Sequence, residues 1–232
     1  MSHYKIIMDT ETANSLEQPL PYDLGYIIFD DRTGRIVCKR SFVIAEIFLD
    51  KELMTSAYYA NKCRNYWEDI QNGKRLLKSF WNVRKAFQAD MREWNVKEVG
   101  AYNMSFDNRA LNTEIRYISS SFFRFLLPYG TKIFCIWNMA CSTICQTPEY
   151  IQFIIDNDFL TEKGNIPTSA EMVYRFLQND PKFIESHTGL EDVRIEKEIY
   201  TAVKLSSMEY DDTPKSNCWM KVRKYYKMLM GD

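Results

Sequence analysis

Glycine is scarce in this sequence, with 8 in 232 residues, and no GxxxxGK phosphate loop occurs. The six cysteines form no CxxC pair. Cys141 and Cys145 are four apart, but no second pair with zinc-like spacing accompanies them. Free thiols in a reducing cytoplasm are therefore expected. No apolar run approaches the length of a membrane span, and the opening MSHYKIIMDTE has no basic stretch ahead of a long apolar one. Neither a membrane nor a signal peptide is expected. A net charge of -1 exerts no global pull on polyanions, so a nucleic acid would have to be held by local basic patches or through metal ions. Only two histidines are present, His3 and His187.

What is present is apolar and aromatic. The hydrophobic fraction of 46% is ordinary for a globular protein, whereas aromatics at 15% are abundant enough to supply large core residues or base-stacking platforms. YKIIMDTE (Tyr4–Glu11) reads as a buried strand that ends in acids. Leu24–Asp30 and Ile36–Val43 flank the turn Asp31-Arg32-Thr33-Gly34, and together the three predict an antiparallel meander. From Gly73, residues Leu76, Phe80, Val83, Phe87, Met91 and Trp94 recur every three or four positions, one face of a long helix. Lys74, Arg75, Lys78, Arg84, Lys85 and Arg92 between them read as its solvated side.

Further on, Val96–Tyr102 and Thr131–Trp137 read as a fourth and a fifth strand, with a helix from about Ser105 to Ile118 between them. A short helix near Tyr150–Asn157 and a Lys163-Gly164-Asn165 turn mark residues 146–168 as an insertion. A helix capped by Thr168 or Ser169 would follow and stop at Asn179-Asp180-Pro181. A last core helix would cover Leu190–Lys204. The order predicts an α/β layered domain with a mixed sheet, spanning 1–208, and a helical tail from 209 to 232. The tail carries Lys215, Lys221, Arg223, Lys224 and Lys227 beside Trp219, Tyr225 and Tyr226, which suits either tracking a nucleic-acid strand or docking on the domain.

Five residues have chemical rather than architectural value. Asp9 and Glu11, two apart on a strand, emerge from one face near a core, where paired carboxylates repel unless a cation neutralises them. A strand end fraying into an acidic loop is the plainer alternative. Asp107 opens a helix, where capping is also sufficient reason for an acid. His187 and Asp192 lie five apart across the entry to the last core helix. Jointly, four carboxylates and one imidazole are the parts for two divalent ions and a general base in phosphodiester hydrolysis. All-oxygen ligands favour Mg²⁺ or Mn²⁺.

DTET, NMSFD and H-x4-D, in this order, resemble the three motifs of the DEDDh (DnaQ-like) exonucleases of the ribonuclease H-like superfamily, from about residue 4 to 204. The resemblance implies a central five-stranded mixed sheet, a three-stranded meander plus two parallel strands, flanked by helices. It implies a 3′–5′ exonuclease that releases nucleoside 5′-monophosphates from DNA or RNA, with a single-stranded 3′ end as partner. Asp9 would bridge two metals, Glu11 and Asp192 would serve the nucleophile-side ion, and Asp107 the other. His187 would be the general base. Thr10, Thr12, Asn103 and Phe106 would contact the terminal nucleotide. Two departures stand out: TANSLEQP follows the first motif where the family often has a glycine, and Ile136-Trp137-Asn138 stands where many relatives carry Asp-Thr. The insertion followed by TSAEMVYRFL is similar to short exonucleases encoded by bacteriophages. Two rival readings remain: a phosphodiesterase confined to short oligonucleotides, and an inactive binding or scaffold module. No polymerase partner or oligomeric state is legible.

Overall fold

The computed structural model describes residues 3–58 and 60–231. Six strands, β1 (Tyr4–Asn14), β2 (Pro19–Asp30), β3 (Ile36–Ile44), β4 (Leu76–Lys78), β5 (Glu98–Ala101) and β6 (Lys132–Cys135), hydrogen-bond in the order β4-β3-β2-β1-β5-β6. The helices are α1 (Ala45–Phe48), α2 (Lys51–Thr55), α3 (Cys63–Gln71), α4 (Phe80–Glu93), α5 (Met104–Ile118), α6 (Ile136–Ser142), α7 (Pro148–Asp156), α8 (Ala170–Gln178), α9 (Gly189–Leu205) and α10 (Trp219–Met230). The chain divides into two compact units. One comprises residues 1–100, 106–132 and 186–193; the other comprises 101–105, 133–185 and 194–232.

In the first unit β1 lies between β2, antiparallel from Tyr4↔Asp30 to Asn14↔Pro19, and β5, parallel from Lys5↔Glu98 to Ile7↔Gly100. A strand paired on both edges is apolar on both faces, which is why Ile6, Ile7 and Met8 are all fully buried. The expected meander forms. Asp30 Oδ1 accepts from the Arg32 N–H at 2.8 Å, and the Gly34 N–H closes the turn on the Asp30 carbonyl at 2.8 Å. Gly34 has φ 71°, a left-handed conformation that glycine adopts without strain.

The sheet has six strands where five were expected. The extra one is β4, which pairs parallel with β3 through Phe42↔Leu76, Val43↔Leu77 and Ile44↔Lys78. Leu76 fits the helical period of the residues after it, but Ser79 is the cap: its Oγ accepts from the Asn82 N–H at 3.4 Å, so α4 begins at Phe80. Arg75 is likewise misread as part of a solvated face, since only 4% of it is exposed. The fifth expected strand is also shorter, because Ile136 and Trp137 already belong to α6.

Part of the aromatic complement fills cores. Tyr22, Tyr26, Tyr66, Phe29, Phe80 and Phe87 are all buried, each contributing about 1.5–3 kcal/mol in transfer free energy. In the second unit Ser169 Oγ caps α8 through the Met172 N–H at 3.3 Å, and Asn179, at φ 50°, ends it. The tail helix α10 docks in that unit: Val222 is fully buried, and Lys221 Nζ donates to Asn138 Oδ1 at 2.8 Å and to Asp211 Oδ2 at 2.9 Å. All six cysteines are free thiols, Cys135, Cys141, Cys145 and Cys218 buried. No described helix is long and apolar enough to cross a membrane.

Candidate active site

Asp9, Glu11, Asp107, His187 and Asp192 all fall in the first unit. Asp9 and Glu11 stand at the acidic end of β1, and the β1–β2 register shifts between Glu11 and Thr12. Such a bulge re-aims the side chains beyond it and recurs beside functional sites. Asp107, in the first turn of α5 and 4% exposed, is tied to β1: its Oδ1 accepts from the Thr10 N–H at 3.1 Å and the Thr10 hydroxyl at 2.8 Å. Thr10 thus bonds a candidate ligand rather than lying open. Ligand atoms of Glu11, His187 and Asp192 all lie within 4.8 Å of one another. Residues 176 apart in the chain therefore share one cluster of donors.

The segment that brings His187 and Asp192 there is strained and clamped. His187 has φ 51°, a left-handed conformation that costs a non-glycine residue on the order of 1–3 kcal/mol and persists where the surroundings over-determine it. Ser186 Oγ donates to Asp192 Oδ1 at 3.1 Å, and the Thr188 carbonyl accepts from the Glu191 and Asp192 N–H groups at 3.0 Å. Lys62 Nζ donates to the Ser186 carbonyl. Burial pushes the Asp192 carboxyl up to about 7, against the opposing pull of Ser186, Thr188 and Lys62.

Two features that the motif reading passes over hold this segment against the sheet. Gly25 on β2 and Gly189 at the start of α9 meet backbone to backbone. A Cβ on Gly25 would lie 2.2 Å from Gly189 C and Leu190 N, and one on Gly189 would lie 2.7 Å from Gly25 N and 3.2 Å from Asp9 O. Only two glycines permit this approach. Beside them Asp23, fully buried and opposite Glu11 in register, accepts on Oδ2 from the Tyr66 hydroxyl at 2.6 Å, Arg75 Nη1 at 3.0 Å and the Gly189 N–H at 3.1 Å. Arg75 also reaches Ser41 Oγ at 2.9 Å, Asp69 at 3.1 Å and Glu191 Oε2 at 2.8 Å. Burial raises the Asp23 carboxyl, while Arg75 and the two other donors pull it back. Asp23 lies one residue ahead of the strand expected at Leu24–Asp30, so no pattern in the sequence marked it.

Of the residues expected to contact a terminal nucleotide, Thr12 is half-buried at the bulge, and Phe106 stacks beneath Arg109, whose Cζ lies 5.5 Å from the ring centroid. Asn103 belongs to the second unit and is half-buried.

Neither a protein-family model nor a curated protein matches this sequence. Solved structures do match. A full-length 3′-exonuclease superposes with TM-score 0.58 at 10% identity, covering 93% of this chain and 92% of that one. The nuclease domain of 3′hExo, described as a DEDDh family member bound to rAMP, superposes with TM-score 0.55 at 11% identity, covering 92% and 98%. Escherichia coli exonuclease I in complex with an oligonucleotide gives TM-score 0.57 at 10% identity over 89% of this chain, which spans only 41% of that larger protein. This chain has the fold of these exonuclease structures, built around a mixed six-stranded sheet.

Proposed function

We propose that this protein is a metal-dependent 3′–5′ exonuclease that releases nucleoside 5′-monophosphates from the 3′ end of DNA or RNA. The observation that carries the reading is the grouping of Glu11, His187 and Asp192 within 4.8 Å, on the unit whose β1 also holds Asp9 and is bonded to Asp107 through Thr10.

The donor set suits hard divalent cations, Mg²⁺ or Mn²⁺: four carboxylates supply oxygen ligands with no thiolate among them. An Asp192 carboxyl raised to about 7 by burial is a group whose negative charge lacks sufficient compensation, and a cation beside it would lower that value. Asp9 would serve two ions, Glu11 and Asp192 the one on the water side, and Asp107 the other. Bound there, the ions would neutralise phosphate charge and acidify a coordinated water.

The remaining chemistry belongs to the chain. A neutral His187 imidazole, its donor atom within 4.8 Å of those of Glu11 and Asp192, accepts the proton from the attacking water. The clamp of Ser186 and Thr188 fixes Asp192, and hence the neighbourhood of the ring. Thr12 and Phe106 would contact the terminal nucleotide.

The test follows mononucleotide release from 3′-labelled and 5′-labelled strands with Mg²⁺ and with Mn²⁺. Asp107→Asn keeps an acceptor oxygen for Thr10 but removes the charge, and turnover should disappear. His187→Ala should bind Mn²⁺ while reacting about 10²–10⁴ times more slowly, the usual worth of a general base. Undiminished turnover in the Asp107→Asn protein would defeat the metal assignment. Activity confined to the shortest oligonucleotides would favour the short-substrate phosphodiesterase.

A further inference from the structure

A cavity of about 430 Å³ runs along the outward flank of α5 beneath the loop that leaves β1. Arg109, Thr113, Arg116 and Tyr117 line it from the helix, and spacings of four, three and one put them on a single face. Asn14 and Glu17 line it from the loop, so two guanidinium groups face one carboxylate. Arg109 lies two residues beyond Asp107, stacked on Phe106, and is fixed by donating to the Leu16 carbonyl at 3.1 Å. Arg116 lies about 13 Å further along the helix axis than Asp107, beyond the reach of a single nucleotide.

Where α5 ends, the segment 119–131 presents aromatic rings to solvent. Phe122, Phe123 and Phe125 are 95%, 78% and 62% exposed, with Arg124 among them. These rings sit on an anchored backbone. The Leu126 N–H donates to Asn112 Oδ1 at 3.0 Å, its carbonyl accepts from Gln88 Nε2 at 2.8 Å, and the Phe125 carbonyl accepts from Arg84 at 3.4 Å. Leu126 itself is fully buried. A fold that fastens this segment at Phe125 and Leu126 and still leaves three phenylalanines in water presents a surface suited to flat apolar faces.

Phosphates and unstacked bases in alternation are the chemistry that arginines and open rings recognise together, and a single-stranded polynucleotide offers both. We propose that the outer flank of α5 and the segment after it form a track for a single strand. On it Arg109 and Arg116 pair with phosphates upstream of the 3′-terminal nucleotide, and Tyr117 and the Phe122–Phe125 rings stack its bases. The proposal rests on the exonuclease reading for its direction, and it makes long single strands the substrate class.

Its test does not depend on turnover. Fluorescence anisotropy with a chelator present measures binding of 5′-labelled oligothymidylate of about twenty nucleotides, of the matching oligouridylate and of a blunt duplex. The Arg116→Ala/Phe123→Ala protein, altered only at exposed positions, should bind the single strands at least about tenfold more weakly than the unaltered chain. Its log–log salt dependence should be shallower by about 0.7, one lost phosphate contact. Arg116→Lys should keep most of the salt slope. Single-strand affinity unchanged by the double substitution, or duplex affinity reduced equally, would overturn the track. Tight, substitution-sensitive binding without hydrolysis under either metal would uphold the track as a binding surface while sinking the exonuclease reading and, with it, the direction of the strand.

Discussion

Glu114 shows what a single buried acid does to this protein. It lies seven residues beyond Asp107 on the same face of α5, fully buried, with neither carboxylate oxygen hydrogen-bonded. Burial first, and then the charge of Glu46, raise its pKa well above the ordinary 4.5. The folded protein therefore binds a proton there more tightly than the unfolded chain does. Stability from this site is complete below about pH 4.5 and falls as pH climbs through the folded value. Glu114→Gln removes the linkage at nearly constant volume. Urea denaturation should find the variant close to the parent at about pH 4 and progressively more stable towards about pH 8. A constant difference across that range would show that Glu114 does not titrate on unfolding. No periodicity marks Glu114 as special, since an acid at a helical position is ordinarily solvated; its burial arises from what packs over it.

At the level of elements, the approach of β2 to the start of α9 governs the site. Gly25→Ala would drive a Cβ into backbone atoms of Gly189 and Leu190, neither of which can swing aside as a side chain does. A loss of about 2–4 kcal/mol is expected, with turnover falling further than stability because His187 and Asp192 move with that backbone. Arg75→Met leaves Asp23 buried without its cation and should cost about 3–5 kcal/mol, much of it recovered when Asp23→Asn is added. Denaturation midpoints of Gly25→Ala, Arg75→Met, Asp23→Asn and the double variant check both effects, and additivity of the Arg75 and Asp23 changes would exclude the coupling. The strands of the meander, the Ser169 cap and the helix bearing Asp107 were legible because each has a local signal: an apolar run, a turn, a capping residue. β4 was not, because three residues carry too little pattern to compete with the strong helical period that follows them. The basic run 74–92 was read as one solvated face, and Arg75 escaped that description through partners at Asp23, Asp69 and Glu191.

For the molecule as a whole, the near-zero net charge conceals an uneven distribution. Glu11 and Asp192 lie within ligand distance of each other, and Asp107 is bonded to the same strand end. Cations that bind the folded protein and not the unfolded chain raise stability by mass action, by about 2.7 kcal/mol at a hundred times Kd. The melting temperature should accordingly rise with Mn²⁺ and with Mg²⁺, and the rise should be lost in Asp9→Asn/Asp107→Asn. An equal rise in that double variant would place the stabilising ion elsewhere. The aromatic surplus also divides at this scale: Tyr22, Tyr26, Phe80 and Phe87 are core, whereas Phe122 and Phe123 are not. Composition alone offered both uses without assigning residues to either.

The sequence by itself determined the class of fold and pointed to the five positions proposed as the site, because apolar strand runs, helical spacing and the order of DTET, NMSFD and H-x4-D can be read along the chain. Tertiary structure alone decided that Glu11, His187 and Asp192 meet, that Thr10 is bonded to Asp107, and that Asp23, Arg75, Gly25 and Gly189 hold the segment in place. The Gly189–Asp23 bond joins residues 166 apart, and contacts at that range leave no periodic trace in the chain. They arise from which backbones can approach and which buried charges must be paired, and both conditions exist only once the elements have packed.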